Sequence, residues 1–363
     1  MSLYYGRNKW MIKSDFQEIH YWDKNAGSKV GSINFYQLYL ESKFKGLNFR
    51  IGRQGVLLDN GRIFSDAPWA QQGRSHEGIR MMKYSTRFRN DLFLLFTRRY
   101  GDAFDPLFSP VASHRYKYLA VYHLSYNPNK AIAFNSINAV DLFRNENAGK
   151  NFARITTGGR IEYKYRQFYA TLNAYLQFGQ NPRGNQLFAY YLQPEFRLST
   201  KYATLRLGAE ILSGGGPDRS ANQSGDFDVL YGVAWKFMGN MNIFTRFPAD
   251  VAGKGLVNPY LFVTIPIAKK LSIRSDLHLF FSQYSQLDNL GSPVKKYLGF
   301  ENDFSFRYAP VKYLEINYGL SFLKSSTSMR FLPKVEDESR VSYWSYLMVS
   351  YQFKVFRREQ RIP

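Results

Sequence analysis

The sequence predicts an all-β fold, an antiparallel transmembrane β-barrel of about sixteen strands forming one domain, 1–363. Three observations lead there: apolar and charged residues alternate with a period of two from about residue 9 to the end, short polar turns alternate with long loops, and aromatics make up 18% of the chain. Between Thr204 and Ile211, for example, Leu205, Leu207, Ala209 and Ile211 take one face, while Thr204, Arg206, Gly208 and Glu210 take the other. A strand with one apolar and one charged face is half-buried. In a bilayer the apolar face meets lipid and the charged face lines a lumen.

The elements follow in order. A first strand, 9–22, precedes a series of hairpins with tight turns. These are 33–44 with 47–56 about Lys45-Gly46, 76–87 with 91–100 about 88–90, and 116–126 with 131–142 about 127–130. Next come 152–165 with 168–178 about 165–167, 188–200 with 203–212 about Lys201-Tyr202, 257–268 with 271–282 about Lys269-Lys270, and 296–308 with 313–324 about 309–312. A last strand, 343–356, must meet 9–22 to close the barrel, because hydrocarbon does not tolerate an open edge of unpaired backbone groups. The stretches between hairpins are longer: 23–32, 57–75, 101–115, 144–150, 179–187, 213–256, 283–295 and 325–341. Short turns on one rim and long loops on the other mark an outer-membrane barrel with the short rim periplasmic. Within 213–256, residues 226–247 form either one more hairpin, turning at Gly239-Asn240, or a folded loop, and either choice keeps the strand number even.

Composition supports a membrane setting and an integral place in a Gram-negative outer membrane. The chain has 28 Tyr and 31 Phe, suited to girdles at both interfaces, yet its mean hydropathy is −0.39 because alternation hides the lipid face. No run of roughly 20 apolar residues exists for a helical span. The absence of Cys excludes disulfides, thiolate catalysis and Cys-type metal sites. A net charge of +21 would ordinarily suggest nucleic acid, but the basic residues are spread at alternate strand positions, which suits a cationic lining that concentrates anionic solutes. Met1-Ser-Leu-Tyr-Tyr-Gly lacks the features of a secretory leader, so the chain is either mature or shortened at its start.

Few residues promise chemistry. His20, His76, His114, His123 and His278 are scattered without metal-ligand spacing, and they read as lumen or interface histidines, with no metal or cofactor implied. Ser213-Gly-Gly-Gly-Pro-Asp precedes no helix and carries no Gly-Lys-Ser/Thr, so it reads as a flexible surface loop and not as a phosphate cradle. The alternation puts the carboxylates of Glu162, Glu195, Glu210, Asp276, Glu301, Asp303 and Glu315 in the lumen, with the bases Arg50, Arg154, Arg160, Lys164, Arg197, Arg206, Arg274 and Arg307. Individually these are cross-strand ion pairs that hold register. As a set, the guanidiniums can bind carboxylates and pass them along.

The densest unusual stretch runs from Ile51 to Arg80. It contains Gly52-Arg53-Gln54, then Asp59-Asn60-Gly61-Arg62, then Trp69-Ala70-Gln71-Gln72-Gly73-Arg74-Ser75-His76. In this order the blocks resemble the signature of the alginate export family of outer-membrane porins. Lys236-Phe237-Met238-Gly239-Asn240-Met241 and Asp276-Leu277-His278-Leu279-Phe280 are weaker likenesses. Members of that family carry a leader and a further N-terminal hairpin, so the resemblance implies a barrel two strands short of eighteen, with an imperfect seam. It further implies passage of a uronate-type oligo- or polysaccharide. Gly-Arg-Gln also has a structural reading. Strict alternation puts Arg53 on the same face as Phe49 and Ile51, so either a bulge turns it inward or it sits at the rim.

Together these readings describe a porin, not an enzyme, that passes an anionic solute and contacts outer-membrane lipid but no nucleic acid. The expected binding residues are Arg50, Arg53, Arg62, Trp69, Arg74, Arg80, Arg160, Arg206, Arg274 and Arg307, with either 57–75 or 213–256 folded inward as a constriction. The alternatives are a plugged barrel acting as scaffold or adhesin, an outer-membrane hydrolase, for which no nucleophile motif exists, and a soluble nucleic-acid-binding β protein.

Overall fold

Period-two alternation becomes one antiparallel meander in the computed structural model, which describes residues 2–7, 9–19, 32–67, 73–97, 116–145, 149–216, 219–233, 235–333 and 341–353. Its strands are β1 (Ser2–Arg7), β2 (Trp10–Ile19), β3 (Ser32–Phe44), β4 (Leu47–Gln54), β5 (His76–Tyr84) and β6 (Phe88–Phe96). They continue through β7 (Tyr118–Tyr126), β8 (Ile132–Asn145), β9 (Lys150–Tyr165), β10 (Phe168–Gln180), β11 (Gln186–Ser199) and β12 (Thr204–Leu212). The last are β13 (Gln223–Ser224), β14 (Leu256–Ala268), β15 (Leu271–Ser282), β16 (Tyr297–Val311), β17 (Leu314–Ser325) and β18 (Val341–Tyr351). Each wall strand pairs with its sequence neighbour; β12 passes over the two-residue β13 to pair with β14, and β13 lies parallel to the start of β11.

The sixteen hairpin and terminal strands of the sequence reading are all present, and five of the seven tight turns fall where expected; the turn expected at 88–90 lies at 85–87, and the one expected at 309–312 lies at Lys312-Tyr313. Two corrections apply. A short strand, β1, lies ahead of them and pairs antiparallel with β2, from Ser2 opposite Asp15 to Arg7 opposite Trp10. The wall among the described residues therefore has an odd number of strands. Second, β2 takes β1 and β3 as its neighbours, so it does not meet the last strand; among the described residues no register joins β18 to either β1 or β2. The stretch 226–247 forms no hairpin. It folds through a bridge between Phe64 and Tyr231 and a short helical turn, Trp235–Met238, with a 3-10 turn, Ala249–Val251, following.

Adjacent residues in β6 show which way the wall faces: Phe93 is 0% and Leu95 3% exposed, whereas Leu94 between them is 45% exposed. Outward residues such as Phe188, Phe196, Leu205 and Leu207 form the lipid face. The buried apolar core therefore lies inside the barrel. There Val56, Ile63, Phe64, Phe227, Tyr231, Phe237 and Phe247 of two inward segments pack on Phe93, Val121, Ile137, Tyr191 and Phe280 of the wall. The glycine of Gly-Arg-Gln serves this inner surface. Gly52 (φ +127°) faces Gly78 (φ +149°) in register, and a Cβ on them would come within 2.4 Å of Leu38 O and 2.1 Å of Leu94 O respectively. Only glycine fits so close a backbone approach.

Candidate functional site

The two inward segments, 55–67 and 213–255, are tied first to each other. Ser65 N donates to Tyr231 O at 3.2 Å and Tyr231 N to Ile63 O at 3.0 Å. They are tied to the wall through polar side chains that replace the water their backbone would otherwise need. Gln177 of β10 makes a reciprocal pair with the Asp228 backbone, at 2.7 and 2.9 Å. Asn258 of β14 donates to Phe237 O at 2.7 Å. On β16, Asp303 accepts from Asn240 N at 3.0 Å and Glu301 from Met241 N at 2.7 Å. Arg154 of β9 bridges Asp141 of β8 and Asp228 of the inward segment, the latter at 2.8 Å.

Two expected lining residues are consumed by this packing. Arg62 is fully buried; its Nε donates to Glu210 Oε1 of β12 and its Nη1 to Val233 O at 2.7 Å, among the rings of Tyr191, Phe237 and Phe247. Arg74 donates from Nη1 to the carbonyls of Tyr231 and Gly232, and burial pushes its guanidinium below its ordinary pKa. Neither is free to line a conduit. The inward fold of one of these stretches agrees with the sequence reading, but the partners of Arg62 and Arg74 do not follow from it, because alternation reports the face of a strand and says nothing about what a loop packs on.

Arg53 follows the second of its two sequence readings, at the long-loop end of β4 and outside the lumen. No bulge turns it inward: its strand stays in regular register, and Arg53 lies on the outward face paired with Glu77 of β5 at 2.6 Å. Gln54, its neighbour, is buried on the inner side against the carbonyls of Gly52 and Gly78. Trp69 lies outside the described residues. The glycine run at Ser213 is not a surface loop either. Ser213 and Gly214 are buried, and Gly215 N donates to Gly253 O at 2.7 Å and Asp226 Oδ1 at 2.8 Å. Among the histidines, His76 contacts Tyr116 OH at 2.7 Å, His123 contacts Asp59 at 2.9 Å, and His278 contacts Asn258 at 3.2 Å; His20 and His114 lie outside the described residues.

The remaining six arginines face the lumen, five of them in the half nearer the short turns and Arg80 at mid-wall, opposite Phe93. Each meets a carboxylate: Arg50 with Glu41 at 2.7 Å, Arg80 with Asp91 at 2.8 Å, Arg160 with Glu162 at 3.4 Å, and Arg206 with Glu195 at 2.6 Å, while Arg274 meets Asp276 and Arg307 meets Glu315. Ion pairing, across strands at four of these sites and along one strand at Arg160–Glu162 and Arg274–Asp276, thus neutralises more of this ladder than alternation alone suggests. Arg274 and Arg307 keep 41% and 55% of their side-chain surface, so this part of the lumen is wet.

Two features leave positive charge over. Asp91 takes a second arginine, Arg89, at 2.7 Å. Arg197 has no carboxylate partner among the described residues; its guanidinium lies 4.4 Å from the Tyr169 ring centroid, and its Nε makes no hydrogen bond. The sequence reading placed Arg197 in the lumen but did not single it out. Register supplies the missing signal, since its cross-strand neighbours are Tyr169 and Arg206, neither of them acidic.

An antiparallel β-barrel with an outward apolar face is the form of an integral protein of the Gram-negative outer membrane. No family model matches the chain, and no curated protein matches it. Solved structures do resemble it. OccK10 (OpdN) of Pseudomonas aeruginosa superposes with a TM-score of 0.63 at 12% identity, covering 98% of this chain and 92% of that one. OccAB1 of Acinetobacter baumannii gives 0.64 at 12%, with 96% and 86% covered. The outer membrane protein OprD of Pseudomonas aeruginosa gives 0.60 at 9%, with 94% and 82% covered. These structures are OccD/OprD-family outer-membrane porins, and they overturn the resemblance to the alginate export family. The three blocks that carried it have local roles here: Gly52 permits close strand approach, Asn60 and Arg62 dock an inward segment on Gln193 and Glu210, and Arg74 caps carbonyls.

Proposed function

We propose that the chain, taken as one barrel domain, is an outer-membrane diffusion channel for small solutes that favours anions over cations. The observation that carries this reading is the surplus of fixed positive charge on a wet inner wall, where Arg197 stands without a carboxylate and Asp91 serves both Arg80 and Arg89. A cationic wall raises the local concentration of anions entering the lumen. The OccD/OprD-family porins that share the fold pass small solutes, which agrees with it. Passage of a polysaccharide has no support in these neighbours, and the inward segments occupy the space that a polymer would need.

Planar-bilayer recording tests the proposal. Wild-type protein should conduct with anions preferred, and Arg197→Glu should lower the anion-to-cation permeability ratio by about two- to threefold at low salt, less as salt screens the field. A wild-type pore that prefers cations would sink the anionic part. The apolar core across the long-loop half favours a second reading, a non-conducting barrel acting as scaffold or adhesin. Absence of any conductance would select it.

A further inference from the structure

The short-turn rim carries charge of one sign. Lys45, Arg87, Lys130, Arg166, Lys201 and Lys312 each occupy one of the tight turns that join β3–β4, β5–β6, β7–β8, β9–β10, β11–β12 and β16–β17, and the β14–β15 turn is Lys269-Lys270. All are exposed, and no Asp or Glu occurs in any of these turns. None of these basic residues forms an ion pair among the described residues; Lys270 Nζ donates instead to Pro310 O, at 2.5 Å. The carboxylates nearest the rim, Glu41, Asp91, Glu162 and Glu315, point into the lumen and already hold arginines. The inward long-loop segments differ, mixing Asp59, Asp66, Asp226, Asp228 and Asp250 with Arg62, Arg219, Arg246 and Lys254.

Immediately above the charged turns, on the lipid side, stands an aromatic girdle: Phe44, Phe88, Tyr165, Phe168 and Tyr308 are all exposed. Several cations lie against such rings, Lys45 at 5.4 Å from Phe44, Arg166 at 5.3 Å from Tyr165 and Lys201 at 4.7 Å from Tyr202. Interfacial aromatics sit at the headgroup level of a bilayer, so cations one step beyond them stand at the depth of the lipid phosphates. Lys83, on the outward face of β5, can extend its ammonium to the same level.

We infer that this rim binds anionic phospholipid headgroups of the periplasmic leaflet, gathering them into a shell around the barrel. The distribution of charge decides among occupants. A docked protein would need an arc of the rim and a solute would need cations inside the lumen, whereas a leaflet touches every turn around the circumference, and every one of these tight turns is basic. The inference rests on the barrel and its orientation and does not depend on conduction.

The test uses full-length protein refolded into phosphatidylcholine vesicles containing about 20 mol% phosphatidylglycerol, with spin-labelled lipids reporting which headgroup the barrel prefers. Wild type should favour phosphatidylglycerol over phosphatidylcholine by about threefold at low salt, falling towards parity in about 0.5 M NaCl. The variant K45Q/R87Q/K130Q/R166Q/K201Q/K269Q/K270Q/K312Q should show parity at low salt, and a variant exchanging each Lys for Arg and each Arg for Lys should keep the preference. Parity in wild type overturns the inference whether or not the Gln variant folds. So does a preference that survives in a folded Gln variant, or a Gln variant that changes anion conductance while lipid preference is absent.

Discussion

The two halves of the barrel interior are built on the same strands with the same alternation, yet their inner surfaces have opposite character. Towards the short turns, inner positions carry Arg50, Arg160, Arg206 and Arg274, each with its carboxylate on the wall itself and water beside it. Towards the long loops, inner positions such as Phe93, Val121, Tyr191 and Phe280 are apolar, and their few charges are paired with groups on the inward segments. Strand geometry is common to both. What differs is whether water or another piece of chain meets the wall, and that decides how much each ion pair is worth.

Removing one partner of a pair should expose this contrast most strongly. Arg62→Ala leaves Glu210 buried without its guanidinium and should destabilise docking of the inward segments by about 3–5 kcal/mol, read as lost hydrogen-exchange protection across 57–67. Arg307→Ala, on the wet side, should cost about 0–1 kcal/mol. Similar losses at both sites would break the comparison. Replacing both partners, Arg62→Met with Glu210→Leu, should recover most of the stability, since no buried charge is then orphaned.

The second contrast is between inside and outside on one strand. Phe304 points to lipid and Ser305 to the lumen in β16. Phe304→Arg should destabilise the barrel by about 2–4 kcal/mol if it lies near the bilayer midplane, and Ser305→Arg by far less, as measured by refolding into vesicles. Equal costs would mean that the assigned faces are wrong.

The smallest effect concerns pH and sharpens the picture of the long-loop half. Burial is the main cause that raises Asp226 above its ordinary 3.8, while hydrogen bonds from Gly215 N and Ser224 oppose the shift. A carboxyl raised in the folded state contributes stability that is fully present below 3.8 and is lost as pH rises through the raised value. Protection factors across 213–233 should therefore fall about two- to threefold between pH 4 and pH 7 in wild type relative to Asp226→Asn, which mimics the neutral form. Identical pH profiles would remove Asp226 from the account.

Much of the wall was legible because a strand's faces are fixed by parity. Each lumen carboxylate and base read from alternation, from Glu162 to Arg307, lies on the inner side, and the tight turns at Lys45-Gly46 and Lys269-Lys270 fall in place. The candidate site was legible only where it belongs to strands. Arg62 and Arg74, expected in the lining, are held by Glu210 and by backbone carbonyls, since a loop has no parity that shows its partners, and Arg197 stands out only once register shows which residues lie opposite it. The motif resemblance failed for a related reason. Its blocks of Gly, Arg, Asn and Gln here serve close strand approach, docking and carbonyl capping, roles that packing alone accounts for.

By itself the sequence determined the barrel, its lipid and lumen faces, its two unequal rims and its surplus of positive charge, since each follows from a local repeat or a sum over residues. One of the two long stretches was expected inside the lumen; tertiary structure alone decided that 55–67 and 213–255 both enter and meet there, that Arg62 is taken up by this packing, and that Arg197 has no carboxylate partner among the described residues. The first two of these outcomes depend on contacts between residues more than a hundred positions apart, such as Arg62 with Glu210 and Asn60 with Gln193, and the third on the register that sets Tyr169 and Arg206 beside Arg197. No periodicity encodes such pairs; they form because buried backbone and charged groups, once removed from water, must find partners wherever the folded chain brings them.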